Sequence, residues 1–425
     1  MSAAPALTIV DAVLDGERVS IRIVEGRIAA IGPTLDPEAG DETLDATATI
    51  VSPGLVNAHT HAAMSLFRGF ADDLPLMDWL ENHIWPAEAG LDDEDIYWGT
   101  RLACLEMIRS GTIRFWDMYW RPLVVARAVA DSGLRATIGA PLIDGGPHAA
   151  DQSSQDRLRA EAMETVAALE DIALPGIDVA LAPHAIYTVS DDSLEWLGGL
   201  ANERRIPIEI HLSETEGEVL DCVERCGLRP AALLDRLGVL GPRTVLAHGV
   251  WLDEAERELI AASGATIATN PAANMKLGVG GPFDYPAASR AGIAVGLGTD
   301  GAGSNNSLDM LADAKLFALL QKHHARDPAV ASAAETWEIA TGRRSELLGG
   351  GSIEVGARAD LILLRAGDPA LAVGSLDAGL VYAASDSAVH STIVAGRILM
   401  RDGVIDGAAE VVAAAAERAR GLDRG

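Results

Sequence analysis

Eight short apolar runs recur between residues 54 and 300, separated by longer amphipathic stretches. They are GLVNAH, TIRFWDMY, RATIGAPLI, DVALAPH, IPIEIH, TVLAH, TIATN and IAVGLGTD, beginning near residues 54, 112, 135, 178, 206, 244, 266 and 293. Short apolar runs alternating with helix-length amphipathic stretches read as repeated βα units feeding a parallel sheet. Eight such units close into a (β/α)8 barrel, and a span of about 300 residues suits that fold with insertions.

The flanks carry a different rhythm. LTIVDAVLD, RVSIRIVEG and RIAAIGP near the start, and GSIEVGARADLILLRAG and VHSTIVAGRILMRDG near the end, have apolar residues at period two, closed by Gly or Asp. Both chain ends are therefore expected to build one small β-sandwich domain. The chain divides into 1–54, the barrel at 55–350, and 351–425, which also holds a surface helix, AAEVVAAAAERARGL.

Composition narrows the function classes. With 33 basic and 62 acidic side chains the net charge is −29, so most of the exterior repels polyanions and anionic membranes. A small-molecule substrate is expected, without nucleic acid or membrane partners. No apolar run approaches the roughly 18 residues of a bilayer span, and nothing near the N-terminus reads as a basic segment followed by an apolar signal core, so no signal peptide is expected. Three cysteines, Cys104, Cys222 and Cys226, cannot all pair, which points to a reducing cytoplasm. Cys222 and Cys226, four apart in a helical stretch, read as packing residues.

The polar residues carry the chemistry. In NAHTHAAMSLFRG, His59 and His61 stand one residue apart, and alternation at a strand end sends both imidazoles to one face. His184 ends the fourth run, His211 the fifth, His248 the sixth, and Asp300 the eighth. Five of the ten histidines thus end four different strands, where such barrels build their active sites. That pattern points to a catalytic metal ion with an open coordination position. Taken singly, His184 or His248 has a blander account as a core histidine, Asp300 as a helix N-cap, and Glu214 as one more solvated acid. His83, His148, His323, His324 and His390 lie in helical or loop contexts and are assigned no chemistry.

PGLVNAHTH at the first strand, HLSET at the fifth, AHG at the sixth, NPAANMKLG after the seventh and GTDGAGSNNSLDM at the eighth resemble the amidohydrolase superfamily. More closely, they resemble its 5-methylthioadenosine/S-adenosylhomocysteine deaminase branch, over essentially the whole chain. The resemblance implies His59, His61, His211 and Asp300 as ligands of one divalent metal ion, with zinc expected and its water acidified to a pKa of about 7. A lysine-bridged metal pair is not expected, because no lysine precedes Lys276. The implied activity is hydrolytic deamination of an adenine nucleoside: methylthioadenosine, adenosine, 5'-deoxyadenosine or S-adenosylhomocysteine.

By the same resemblance, Glu214 protonates the ring nitrogen, His248 orients the water, and Asp300 passes its proton to the departing ammonia. Glu88 in IWPAEAG reads the ribose hydroxyls, Trp85 supplies an aromatic wall, His184 contacts the substrate, and Arg157 meets a distal carboxylate. One departure tilts the expectation away from S-adenosylhomocysteine, since Ala140 stands where a relative carries a second arginine. Rival readings keep the fold but take guanine, a pterin, cytosine or a chlorotriazine, or reduce the barrel to a scaffold. The cytidine type of zinc deaminase fits poorly, as its PCxxC ligand pair is missing. A homo-oligomer is compatible with such a barrel, and no stretch of sequence marks the surface that would form it.

Overall fold

A computed structural model describes residues 6–145 and 151–422, so His148 lies outside the described residues. Sixteen strands are numbered here in chain order. The first five are β1 (Leu7–Leu14), β2 (Glu17–Val24), β3 (Arg27–Gly32), β4 (Glu42–Asp45) and β5 (Thr49–Pro53). Next come β6 (Leu55–Thr60), β7 (Thr112–Met118), β8 (Arg135–Leu142), β9 (Ile177–Pro183), β10 (Ile208–Leu212), β11 (Thr244–His248), β12 (Thr266–Thr269) and β13 (Ala294–Leu297). The last three are β14 (Leu361–Arg365), β15 (Val389–Val394) and β16 (Arg397–Met400).

Strands β6 to β13 pair in parallel and in sequence order, one strand for each apolar run. Most are almost wholly buried, as parallel strands covered by helices must be, and β9 is open only over its first three residues, which is why the runs read as continuous apolar stretches. The seam between β13 and β6 closes by single bonds: the Asp300 amide donates to the His59 carbonyl at 3.0 Å, and the Thr299 amide donates to Asn57 Oδ1 at 3.0 Å. The fold is therefore the expected (β/α)8 barrel.

Both chain ends build one mixed sheet, in the order β16-β15-β14-β5-β1-β2-β3 with β4 beside β1. Alternation along β14 explains how it joins the barrel. Leu361 and Leu363 face the sheet's own core with Ile9, Ile21 and Ile393, while Ile362 and Leu364 face the barrel core. A buried ion pair, Arg135 to Asp360 at 2.6 Å, pins this sheet to the start of β8, at the barrel end opposite the strand tips. The terminal helix, Ala408–Leu422, lies on the surface against the barrel's helix Asp93–Arg109, with Arg418 paired to Asp92.

Residues 62–90 form a cover over the strand tips that the sequence pattern did not reveal. It contains a 3-10 turn (Ala62–Phe67) and short helical turns at Leu76–Trp79 and Trp85–Glu88, joined by one turn of π-helix at Leu80–Ile84. Isolated π-turns concentrate at functional sites. No helix among the described residues is long and apolar enough to cross a membrane.

Candidate active site

Three barrel strands deliver four histidines to one point. His59 is the fifth residue of β6, His61 follows that strand, His211 lies in β10 and His248 ends β11. Asp300 arrives from the loop after β13. The backbone bends sharply to aim two of these groups: His248 and Asp300 both adopt left-handed conformations, with φ of 74° and 62°. Such conformations cost of order 1–3 kcal/mol and gather where function demands an aimed side chain. Gly298 is required nearby, because a Cβ there would collide with the Asn270 side chain and His59.

The second partners of the imidazoles fix their orientation. His59 Nδ1 lies 2.7 Å from Glu209 Oε1, His61 Nδ1 2.6 Å from the Met118 carbonyl, and His211 Nδ1 2.7 Å from the His184 carbonyl. A carboxylate and two backbone carbonyls can only accept, so each Nδ1 carries a proton and each Nε2 is turned to the centre. There His61 Nε2 stands 3.2 Å from Asp300 Oδ1 and 3.4 Å from His211 Nε2, while His59 Nε2 is 3.6 Å from the same carboxylate oxygen. Ligands 2.0–2.1 Å from a tetrahedral ion stand about 3.3 Å apart, so the spacing fits a metal ion at the centre.

Two further observations support that fit. His59 Nε2 is buried with no hydrogen-bond partner, an orphan that a cation would satisfy. Burial opposes charge on His59, yet Asp300 and Glu209 outweigh it and lift its pKa to about 10, so the site attracts positive charge. His211 and His248 behave oppositely: burial, then neighbouring imidazoles for His211, pushes both down, His248 to about 4. Three imidazoles and a carboxylate are the donor chemistry of a borderline divalent ion. His248 belongs to the same cluster, its ligand atom lying within 4.8 Å of those of His59 and His211.

Beside this cluster, Glu214 is buried, with Oε1 3.8 Å from His248 Nδ1. Burial and the nearby Asp300 carboxylate raise its pKa well above the usual carboxylate range, favouring a protonated acid. Its loop is held by Glu218, whose carboxylate accepts from the amides of Ser213 and Glu214, each at 2.8 Å.

The cleft above is lined by His61, His184, His211, His248, Glu214 and Asp300 on the barrel side, and by Leu76, Trp79, Leu80, Ile84, Trp85 and Glu88 from the cover. Trp85, Glu88 and His184, expected from sequence as substrate contacts, therefore do face it. Arg157 is placed otherwise. It lies on helix Gln152–Ile172, largely exposed and paired with Glu161 at 3.0 Å, and is not among the lining residues. The helix turns its guanidinium to a neighbour four residues on, at the usual spacing of an exposed ion pair. Ala140 is buried in β8, while Pro141 and Ile143 reach the cleft. Lys276 is bound to Asp72, the Gly303 carbonyl and Asn306.

Several contributors escaped the sequence reading. Glu209 had a signal: it is a charged residue inside the apolar run IPIEIHL, two positions before His211 and hence on its face. Asn274, whose Oδ1 lies 2.8 Å from His248 Nδ1, Tyr119 and Trp120 gave none strong enough.

Comparisons with known proteins agree with this geometry. The model of the amidohydrolase family matches residues 50–399. A 5'-deoxyadenosine deaminase of Methanoregula boonei is 47% identical over 384 residues, 90% of this chain and 86% of that protein. A 5-methylthioadenosine/S-adenosylhomocysteine deaminase of Archaeoglobus fulgidus is 43% identical over 390 residues, 90% of this chain and 91% of that protein. Among solved structures, an adenosine deaminase of Xanthomonas campestris with bound zinc superposes with a TM-score of 0.89 at 35% identity, covering 99% of this chain and 98% of that one.

Proposed function

The chain belongs to the amidohydrolase family, and we propose that it is a metal-dependent hydrolase that deaminates adenine nucleosides to their inosine analogues and ammonia. The observation that carries this reading is the convergence of His59, His61, His211 and Asp300 on one point, with Glu214 and His248 beside it and Glu88 across the cleft. His59, His61, His211 and Asp300 would hold the ion, zinc as in the Xanthomonas campestris structure. When bound, that ion supplies Lewis acidity, making water a nucleophile at neutral pH.

The protein's own groups divide the remaining work. Attack at C6 of adenine breaks ring conjugation, so the ring nitrogen must gain a proton as the carbon–oxygen bond forms. Glu214, held protonated by its enclosure, donates that proton to N1. His248, kept neutral by burial and oriented by Asn274, accepts a hydrogen bond from the attacking water and holds its lone pair towards C6. Asp300 takes one proton of the water and delivers it to the exocyclic nitrogen, which leaves as ammonia as the C6–N bond breaks, while the hydroxyl at C6 returns its proton to Glu214 and becomes the carbonyl of the hypoxanthine ring. Glu88 accepts from the ribose hydroxyls, and Trp85 and His184 flank the substrate.

The direct test follows ultraviolet absorbance of the zinc-loaded protein with methylthioadenosine, with His211→Ala as control. Loss of the adenine band that vanishes in the control is expected. A flat trace with metal bound would move the substrate to a free base or a pterin.

A further inference from the structure

We propose that Trp120 is a positioning residue that sets the Glu88 carboxylate for ribose recognition, so that selectivity for ribose over deoxyribose depends on one indole N–H; this rests on the nucleoside reading above. Glu88 ends the short helix Trp85–Glu88 at the edge of the cover, and no side chain caps that helix. Among the described residues it makes no ion pair. The hydrogen bond to its carboxylate is donated by Trp120 Nε1, at 3.3 Å to Oε2. The Tyr119 hydroxyl also neighbours this carboxylate and helps to hold it charged, but it is buried without a completed hydrogen bond, which leaves the indole N–H as the formed one. A carboxylate on a mobile two-torsion stem needs such a partner to keep one orientation, and with Oε2 engaged its Oε1 remains to accept from a sugar hydroxyl.

The placement of Trp120 is informative. It follows β7, whose last residue, Met118, orients His61 through its carbonyl. Three consecutive residues, 118 to 120, thus register both ends of the cleft: the histidine cluster through Met118 and the sugar-reading acid through Trp120. Trp120 is 38% exposed, and its ring lines both the inner cleft and an adjoining outer hollow with Leu91, Ile96 and Ile143. An exposed tryptophan at a cleft mouth is costly as mere filling, and it gains a reason if its N–H is spent on Glu88. The next residue, Arg121, stands in the left-handed region at φ 53° and turns its guanidinium to Asp93 and the Leu91 carbonyl. It leaves the carboxylate to the indole.

The test compares adenosine, 2'-deoxyadenosine and 3'-deoxyadenosine as substrates of the zinc-loaded wild type, Trp120→Phe and Trp120→His. Phe keeps an aromatic ring but removes the N–H; His restores a donor. Trp120→Phe is expected to raise KM for adenosine about five- to tenfold with kcat within about twofold, and to shrink the preference for adenosine over the deoxynucleosides by a similar factor. Trp120→His is expected to recover part of that preference. Unchanged KM and unchanged preference in Trp120→Phe would overturn the assignment while leaving nucleoside deamination standing. A wild type that turns over none of the three would remove the nucleoside reading, and this inference with it. Calorimetric binding of adenosine to the metal-free proteins gives the same ranking without turnover, and a loss of affinity equal in Phe and His would also count against the indole N–H.

Discussion

His59 Nδ1 and Glu209 Oε1 meet at 2.7 Å, both side chains fully buried, across 150 residues of sequence. The pair fixes which nitrogen of His59 faces the centre of the cluster and adds negative charge behind it. Glu209→Gln keeps an acceptor and removes the charge, so metal affinity is expected to fall about 10–100-fold. Competition with a chromogenic chelator measures this, and an unchanged dissociation constant would reduce Glu209 to packing.

Glu214 is enclosed beside His248 and has no role in holding the ion under the proposed assignment. Replacement by Gln should therefore leave metal content and KM near wild type and lower kcat about 10²–10⁴-fold. Metal analysis together with steady-state kinetics separates that outcome from loss of the metal site.

Glu88 stands across the cleft from the cluster. Its replacement by Ala should cost about 10–100-fold in kcat/KM for adenosine, the expected loss of hydrogen bonds to a charged acceptor. Undiminished turnover of the preferred substrate would show that no ribose is read there.

Among the described residues, no lysine or arginine lines the inner cleft. Without a cationic partner, the zwitterionic tail of S-adenosylhomocysteine gains little from binding. Methylthioadenosine, 5'-deoxyadenosine and adenosine are each expected to exceed it in kcat/KM by about tenfold or more. Parallel progress curves decide the order, and a preference for S-adenosylhomocysteine would place an unrecognised anion-binding group near the cleft.

Asp313 is buried on helix Met310–Ala325, and burial lifts its pKa from 3.8 to about 7 despite hydrogen bonds from Asn305 and the Ala272 amide. Between those two values the folded protein keeps a proton that the unfolded chain releases. Stability contributed by this group is full below about pH 4 and declines as pH rises towards 7, then levels off. Asp313→Asn should flatten that decline, by roughly 1–3 kcal/mol between pH 4 and 7. Thermal melts of both proteins at pH 5, 6 and 7 test the sign; parallel curves would refute it.

The eight strand runs and the histidines that end them were legible because each depends on local order: apolar periodicity sets a strand, and its last residue sets what the strand tip presents. His59, His61, His211, His248 and Asp300 could be read one strand at a time. Arg157 illustrates the opposite case. Its chemistry suits a carboxylate ligand, but the helix that carries it turns the guanidinium to Glu161. The 62–90 cover was equally hidden, since its short turns carry no sustained period.

By itself, the sequence determined the strand count, the barrel and the chemical kinds of the groups at its mouth, because periodicity and residue type act over a few neighbouring positions. Tertiary structure alone decided which nitrogen each histidine offers, that Glu209 stands behind His59, and that Trp120 meets Glu88. Those relations join residues up to 150 positions apart, and they exist only once barrel closure has removed the intervening water and placed donors within reach of acceptors.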